Sequence, residues 1–143
     1  MAVSPNKARL RKLMGETNTP RRVKVVSVST DTELSADQSG SIIFLGGGSA
    51  RTLTLPAISA GLTYEVYITT EHQHIIAAQT AVLQGNYRHN SATTTMTRVA
   101  IVNKKTLTLH SSGRAIGDRL QFWCDGTNWY VDGIVNNALT LGT

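Results

Sequence analysis

The sequence predicts an all-β fold: a single jelly-roll/sandwich or barrel-like domain behind a basic N-terminal arm that contains a short helix. Three observations predict it. Apolar residues alternate with period two through most of the chain after residue 24. Turn-forming dipeptides interrupt these runs at intervals of roughly eight to twelve residues, the spacing of sandwiches and barrels. Positive charge is concentrated in the first 24 residues of 143. A chain of this length buries roughly 68–70% of the surface its unfolded form exposes, enough for a core without disulfides or a metal. Cys124 is the single cysteine, so an intrachain bridge is excluded. The basic start lacks an apolar stretch of the kind a secretory signal needs, and Ile42 to Leu45 is among the longest aliphatic runs. A soluble protein made in a reducing cytoplasm is expected.

The arm, residues 1 to 24, holds Lys7, Arg9, Arg11, Lys12, Arg21, Arg22 and Lys24 against Glu16 alone, a net +6. Residues 25 to 143, the β-rich domain, hold seven bases against eight acids, a net −1. A basic tail on a near-neutral body reads as a docking element for an acidic surface, or as a solubilising terminus. Ser4-Pro5 supplies a helix cap with proline in the first turn, and Gly15 supplies a stop, so a helix is expected over residues 5 to 14. Leu10, Leu13 and Met14 share one face of it. Ten residues fall short of the ~12–15 needed for helicity in isolation, so this helix requires a partner to pack against. Gly15 to Pro20 reads as a connector.

Strands follow. The β-branched run from Arg22 to Thr30 alternates. Ser41 to Leu45 is continuous and apolar, as for a strand buried on both faces. Ala50 to Leu55 alternates and ends at Pro56. Leu62 to Thr70 places Leu62, Tyr64, Val66 and Ile68 on one face. His74 to Ala78, Ala81 to Gln84, Thr94 to Val102, Thr106 to His110, Arg119 to Cys124 and Asn128 to Val131 complete the set. Turns are expected at Ser39-Gly40, Gly46 to Gly48, Ala60-Gly61, Gly85-Asn86, Ser112-Gly113 and Asp125-Gly126. The last fits a tight type I′ hairpin, with positive φ at both central residues. No internal repeat is apparent.

Motifs for catalysis are weak. His72 and His74 stand at i and i+2, where a strand would present both imidazoles on one face; a zinc site would need more donors, for which only His89, His110 and Cys124 remain. A polar, exposed strand edge is the simpler reading, and no metal is expected. Gly46-Gly47-Gly48-Ser49 is followed by a strand, whereas phosphate-cradling loops open a helix, so a mobile strand connection is expected. No G-x-S-x-G elbow occurs, and neither enzymatic activity nor a cofactor is expected. Trp123, Trp129 and Tyr130 lie on the two arms of one hairpin. Alternation puts Phe122 and Trp123 on opposite faces, and likewise Trp129 and Tyr130, so half of this set is core. The rest serves either cross-strand packing or stacking on a ligand.

Three stretches in order resemble the small β-rich modules of tailed-phage virions. Leu34 to Gly40 leading into Ser41-Ile-Ile-Phe44-Leu45 is similar to their opening turn and strand. Thr52-Leu-Thr-Leu55-Pro56, then Gly61-Leu-Thr-Tyr64-Glu-Val66, resembles their next pair. Gly117-Asp118 through Asp125-Gly126-Thr127-Asn128-Trp129-Tyr130-Val131 looks like their terminal hairpin. The similarity spans residues 34 to 131 and is weakest over 71 to 103. Such modules occur in capsid decoration (cement) proteins, head fibres and tail fibres. The absence of a repetitive shaft and the presence of the arm point within that class to a decoration protein. The resemblance implies a homotrimer on the outer capsid surface that stabilises the head and contacts the major capsid protein. Lys7, Arg9, Leu10, Arg11, Lys12, Leu13, Met14, Arg21 and Arg22 are the expected capsid contacts. Three linked arms would gain avidity, because later arms bind at millimolar-scale effective concentration. The alternative is a receptor- or glycan-binding head or tail fibre module, with Trp123 or Tyr130 stacking on sugar. Nucleic acid through the arm is a third reading, and no membrane partner is expected.

Overall fold

The computed structural model describes residues 22–91, 95–111 and 116–143. The expected helix over residues 5 to 14 lies outside them. Two sheets pack face to face in an all-β sandwich. One has seven strands: β1 (Val25–Val28), β3 (Ser41–Leu45), β5 (Thr63–Ile68), β10 (Arg119–Cys124), β11 (Trp129–Val135), β7 (Leu83–Ser91) and β8 (Thr95–Lys104), in that spatial order. The other has five: β12 (Thr140–Gly142), β9 (Thr106–Thr108), β6 (Ile75–Ala77), β4 (Thr52–Thr54) and β2 (Thr32–Glu33). A 3-10 turn, Ala36–Gln38, lies between β2 and β3.

The first six strands alternate between sheets. β1, β3 and β5 run parallel in one, and β2, β4 and β6 run parallel in the other. Parallel neighbours need a crossover, most often a helix. Here each crossover is a strand of the opposite sheet, so the chain winds as a flattened coil. The rungs are unequal, since Val25, Ile42 and Glu65 are register partners at different intervals along the chain. A structural repeat therefore leaves no sequence repeat. Hairpins close the fold, β7 with β8 and β10 with β11.

Period-two alternation sets the core. Tyr64, Val66 and Ile68 of β5, Phe122 and Cys124 of β10, and Trp129, Val131 and Val135 of β11 point inward. They meet Leu53, Ile76 and Leu107 from the five-stranded sheet, with Leu55 and Leu109 just beyond its strand ends, in one continuous cluster. Tyr64 and Trp129 pack with ring centroids 5.9 Å apart, and the Tyr64 hydroxyl donates to the Ser35 carbonyl at 2.7 Å. Burial pushes the Tyr64 phenol up to about 12, so it stays a donor across the physiological range.

Four local expectations are corrected. Ser41 to Leu45 is not buried on both faces: Phe44 faces solvent and Ile42 is half-buried, because β3 lies in a sheet with one open face. Gly85-Asn86 is not a turn but lies inside β7. Gly85 has φ of +125°, and a Cβ there would come within 2.1 Å of the Val131 carbonyl oxygen, so glycine permits the close approach of β11. β8 bulges opposite this point, with Asn103 at φ +51°. Asp125-Gly126 does lie in a hairpin, but of another kind. Cys124 pairs with Trp129, leaving residues 125 to 128 as the loop, and of these only Gly126 has positive φ. The Asp125 carboxylate accepts the backbone N–H groups of Thr127 and Asn128, both at 2.7 Å, which replaces the type I′ geometry with a side-chain-stabilised turn. The Gly46 to Gly48 segment does connect two strands, but it is packed. A Cβ at Gly46 would strike Thr69 Oγ1 at 2.2 Å, and one at Gly47 would lie 2.8 Å from the Ser29 carbonyl oxygen.

β2 and β12, unanticipated, are two and three residues long, too short for periodicity to register. β11 runs four residues past Val131, because Gly133 fits where a Cβ would meet the Leu120 side chain at 2.4 Å. Trp129 is wholly buried whereas Trp123 retains 41% of its surface. Trp129→Ala is therefore expected to cost ~3–5 kcal/mol in urea denaturation, and Trp123→Ala to stay within about 0.5 kcal/mol of the parent.

Candidate functional site: the open face of the seven-stranded sheet

Of the nine expected capsid contacts, Lys7, Arg9, Leu10, Arg11, Lys12, Leu13, Met14 and Arg21 lie outside the described residues. Arg22 is described and exposed, three residues before β1. Lys24 beside it donates to the Asp37 carbonyl at 3.5 Å.

The histidines do not form a polar, exposed strand edge. His72 and His74 precede β6 in a turn, with rings edge-on at 5.9 Å, and His74 is fully buried. His74 Nδ1 accepts the Arg51 backbone N–H at 3.1 Å, which leaves Nε2–H to donate to Thr70 Oγ1 at 3.0 Å. Burial, with His72 nearby, holds its pKa below the usual imidazole value, so His74 is a neutral structural strut. His89 lies against Tyr87, with ring centroids 6.0 Å apart, and Cys124 is in the core. Among the described residues no three His, Cys, Asp or Glu side chains converge as a metal site.

What the fold does assemble is a banded outer face on the seven-stranded sheet. Because Phe122 and Trp129 point inward, Trp123 and Tyr130 point outward, directly opposite one another across β10 and β11. They keep 41% and 43% of their surface exposed. Thr63 of β5 extends this row on one side and Gln84 of β7 on the other, where the Gln84 amide donates to Asn103 Oδ1 at 2.8 Å. The adjacent row is polar, with Glu65, Gln121 and Asp132 in register. A third row holds Tyr67, Arg119, Ile134, Arg88 and Arg98, with Phe44 packed on Tyr67 at 5.8 Å.

Local chemistry fixes several of these groups. The Asp125 carboxyl is held below its usual range first by the Asn128 and Thr127 N–H groups, and more weakly by the Tyr130 hydroxyl. Glu65 accepts the Tyr67 hydroxyl at 2.9 Å and sits 3.7 Å from Arg119. Arg119 is raised further above its ordinary value by hydrogen bonding and charge from Tyr67, with Glu65 and Asp132 adding to it. The Gln121 amide, between two carboxylates in register, has no hydrogen-bond partner among the described residues. A groove of about 310 Å³ runs beside Trp123, walled by Val23, Ile42, Thr63, Glu65 and Gln121. That is the low end of the range for small-molecule sites.

A second hollow, about 370 Å³, is lined by Met96, Ile116 and Ile134 around the nearly buried Asp118. Asp118 Oδ1 accepts the Asn136 N–H at 2.8 Å, but burial outweighs that bond and pushes the carboxyl up to about 6.

Sequence reasoning set Phe122 and Trp123 on opposite faces, and likewise Trp129 and Tyr130, but missed the Trp123–Tyr130 pairing. A two-residue turn at Asp125-Gly126 would set Trp123 opposite Asn128; the four-residue loop sets it opposite Tyr130. The spacing of Cys124 and Trp129, both inward, was the available signal. The chain matches no protein-family model, no curated protein and no solved structure.

Asp118 yields a pH prediction. Its folded pKa of about 6 exceeds the ordinary 3.8, so between these values the native state binds more protons than the unfolded state, and stability falls as pH rises through that window. The melting temperature of Asp118→Asn minus that of the parent is therefore expected to grow from pH 4 to pH 7. A flat difference in differential scanning calorimetry would refute the burial account.

Proposed function

We propose that this protein is a non-enzymatic structural protein of a tailed-phage virion, a capsid decoration or cement protein. It binds the outside of the head as a homotrimer and stabilises the shell through its N-terminal arm, with the major capsid protein as partner. The observation that carries this reading is the division of charge: seven bases against one acid in residues 1 to 24, on a body that is net −1. Such a division favours docking through the arm, since the body has no excess of positive charge with which to seek an acidic shell.

The fold is compatible with that role. Among the described residues β1 is an edge strand, paired with β3. Just ahead of Val25 the chain still reaches β3, where Lys24 accepts the Ile42 N–H at 2.9 Å, so a truncation that stops at residue 20 leaves this bond in place. The order of the three motifs across residues 34 to 131 supports the virion class; the arm supports the decoration role within it. Capsid contacts through Lys7, Arg9, Leu10, Arg11, Lys12, Leu13, Met14, Arg21 and Arg22 would combine charge with the apolar face of Leu10, Leu13 and Met14.

Deleting residues 1 to 20 is expected to leave the melting temperature within about 2 °C. The same deletion should abolish co-sedimentation with capsids of the cognate coat protein. Unchanged occupancy by the truncated protein would remove the arm from the mechanism.

A further inference from the structure

We infer that Arg88, Arg98 and the hollow beside Ile134 form a docking site for an acidic segment of a partner protein, one that carries a carboxylate next to an apolar side chain. The site uses none of residues 1 to 24 and stands whether or not the arm grips a capsid.

The body is net −1, yet three of its seven bases, Arg119, Arg88 and Arg98, fall in one row across β10, β7 and β8. Arg119 is engaged by Glu65 at 3.7 Å. Arg88 and Arg98 are exposed and directly opposite one another, and among the described residues neither has an ion-pair partner. Like charges at opposed positions weaken a strand pair. A negative group bound between them removes that repulsion. With Cα atoms about 4.5–5.5 Å apart, the two guanidiniums present planar donor forks of the kind that fits a carboxylate.

Apolar surface adjoins the pair. Ile134 is in register with Arg88, on the side away from Arg98. It walls the hollow of about 370 Å³ that Met96 and Ile116 also line. These three side chains are 47 to 61% exposed. Met96 lies two residues along β8 from Arg98, roughly 7 Å, so one ligand can place an anion on the arginines and an apolar group in the hollow. Arginine and methionine are enriched in protein interfaces and lysine is depleted. The row holds three arginines and no lysine.

Charge and shape together select the class. A nucleic acid draws its affinity from a run of phosphate contacts, and here the run is interrupted. Glu65 and Asp132 stand one row away, and Asp118 lines the hollow with its carboxylate turned to the Asn136 N–H at 2.8 Å. A protein segment uses both the arginine pair and the apolar wall. The chain's own arm, with seven bases against one acid, has the wrong sign for this row.

The test uses the full-length protein labelled with ¹³C at its methionine methyls, where Met96 reports on the hollow and Met14 on the arm. The probes are acetylated, amidated pentapeptides in which Glu alternates with Leu or Phe. Versions with Gln for Glu, versions with Ala for the apolar residues, and a thymidine oligonucleotide are the comparisons. At least one Glu-containing apolar peptide is expected to shift the Met96 signal saturably, with Kd of about 0.1–1 mM. The Gln and Ala versions should each bind about tenfold more weakly or worse. Arg88→Gln combined with Arg98→Gln should weaken the Met96 response by a similar factor, leave any Met14 response in place, and melt no lower than the parent, since the repulsion is gone. A response at Met14 alone would assign the acidic peptide to the arm and overturn the site. So would silence at Met96 with every peptide, equal affinity for the Gln peptides or in the double variant, or tighter binding of the oligonucleotide at Met96. A double variant that melts lower would show that folding needs the pair, and would overturn it as well.

Discussion

Burial of Trp129 is the constraint from which the rest of the molecule follows. Its indole lies between the sheets against Tyr64, on a strand flanked by β10 and β7. With Trp129 and Cys124 both inward and directly paired, the register of the central hairpin has no freedom, since a slip of one residue would turn every side chain of β10 and β11 to the wrong face. That register places Trp123 opposite Tyr130 on the outside and aligns Glu65, Gln121 and Asp132 beside them. Core packing and surface pattern are consequences of a single parity.

The winding of the first six strands supports this centre. Each rung contributes one strand to each sheet, so the two inner faces are built together and the apolar residues of one meet those of the other. The glycines serve this geometry. Gly85 and Gly133 allow close contact around β11, and Gly46 and Gly47 turn the chain from one sheet to the other where no Cβ has room. Asp118 and His74, like Tyr64 and Tyr87, have a pKa shifted by burial, and the first two are each anchored by a backbone N–H. Their shifts act in opposite directions on acid stability, because burial disfavours the charged form of both: stability gained from a neutral His74 is lost as pH falls below the imidazole range, and that from a protonated Asp118 as pH rises through about 6.

The all-β class, most strands and the inward face of β5 were legible in the sequence because alternation is a local property. Pairing was not. Nothing in the residues from Val25 to Ala77 says that neighbouring strands of a sheet are separated by a strand of the other one, so the coil was invisible. Turn signals failed where glycine answers to a neighbouring strand: Gly85 reads as a turn until the Val131 carbonyl beside it is known. The Asp125 loop failed for a different reason, in that its carboxylate caps two N–H groups and lengthens a turn that the dipeptide alone would make shorter. Ser41 to Leu45 looked doubly buried because Ile42 and Phe44 are as apolar as their inward neighbours, and composition does not separate a core face from a sticky outer one. Of the candidate site, the alternation of Phe122 with Trp123 gave the direction of the indole but not its companions.

Positive and negative charge are distributed unevenly in this molecule, and the distribution separates two kinds of contact. The arm's bases are lysines and arginines, and association of such charges with an acidic surface is steered at a distance and weakened by salt. On the open face Glu65 is engaged with Tyr67 and Arg119, while Arg88 and Arg98 continue the row of Arg119 and are exposed. The row of Trp123 and Tyr130 presents aromatic rings, whose attraction is short-ranged and indifferent to salt. A contact made by the arm should therefore respond to ionic strength, and one made by the aromatic row to the stereochemistry of what lies against it. The two meet at the rim of the sheet, because Val23, within residues 1 to 24, walls the groove beside Trp123.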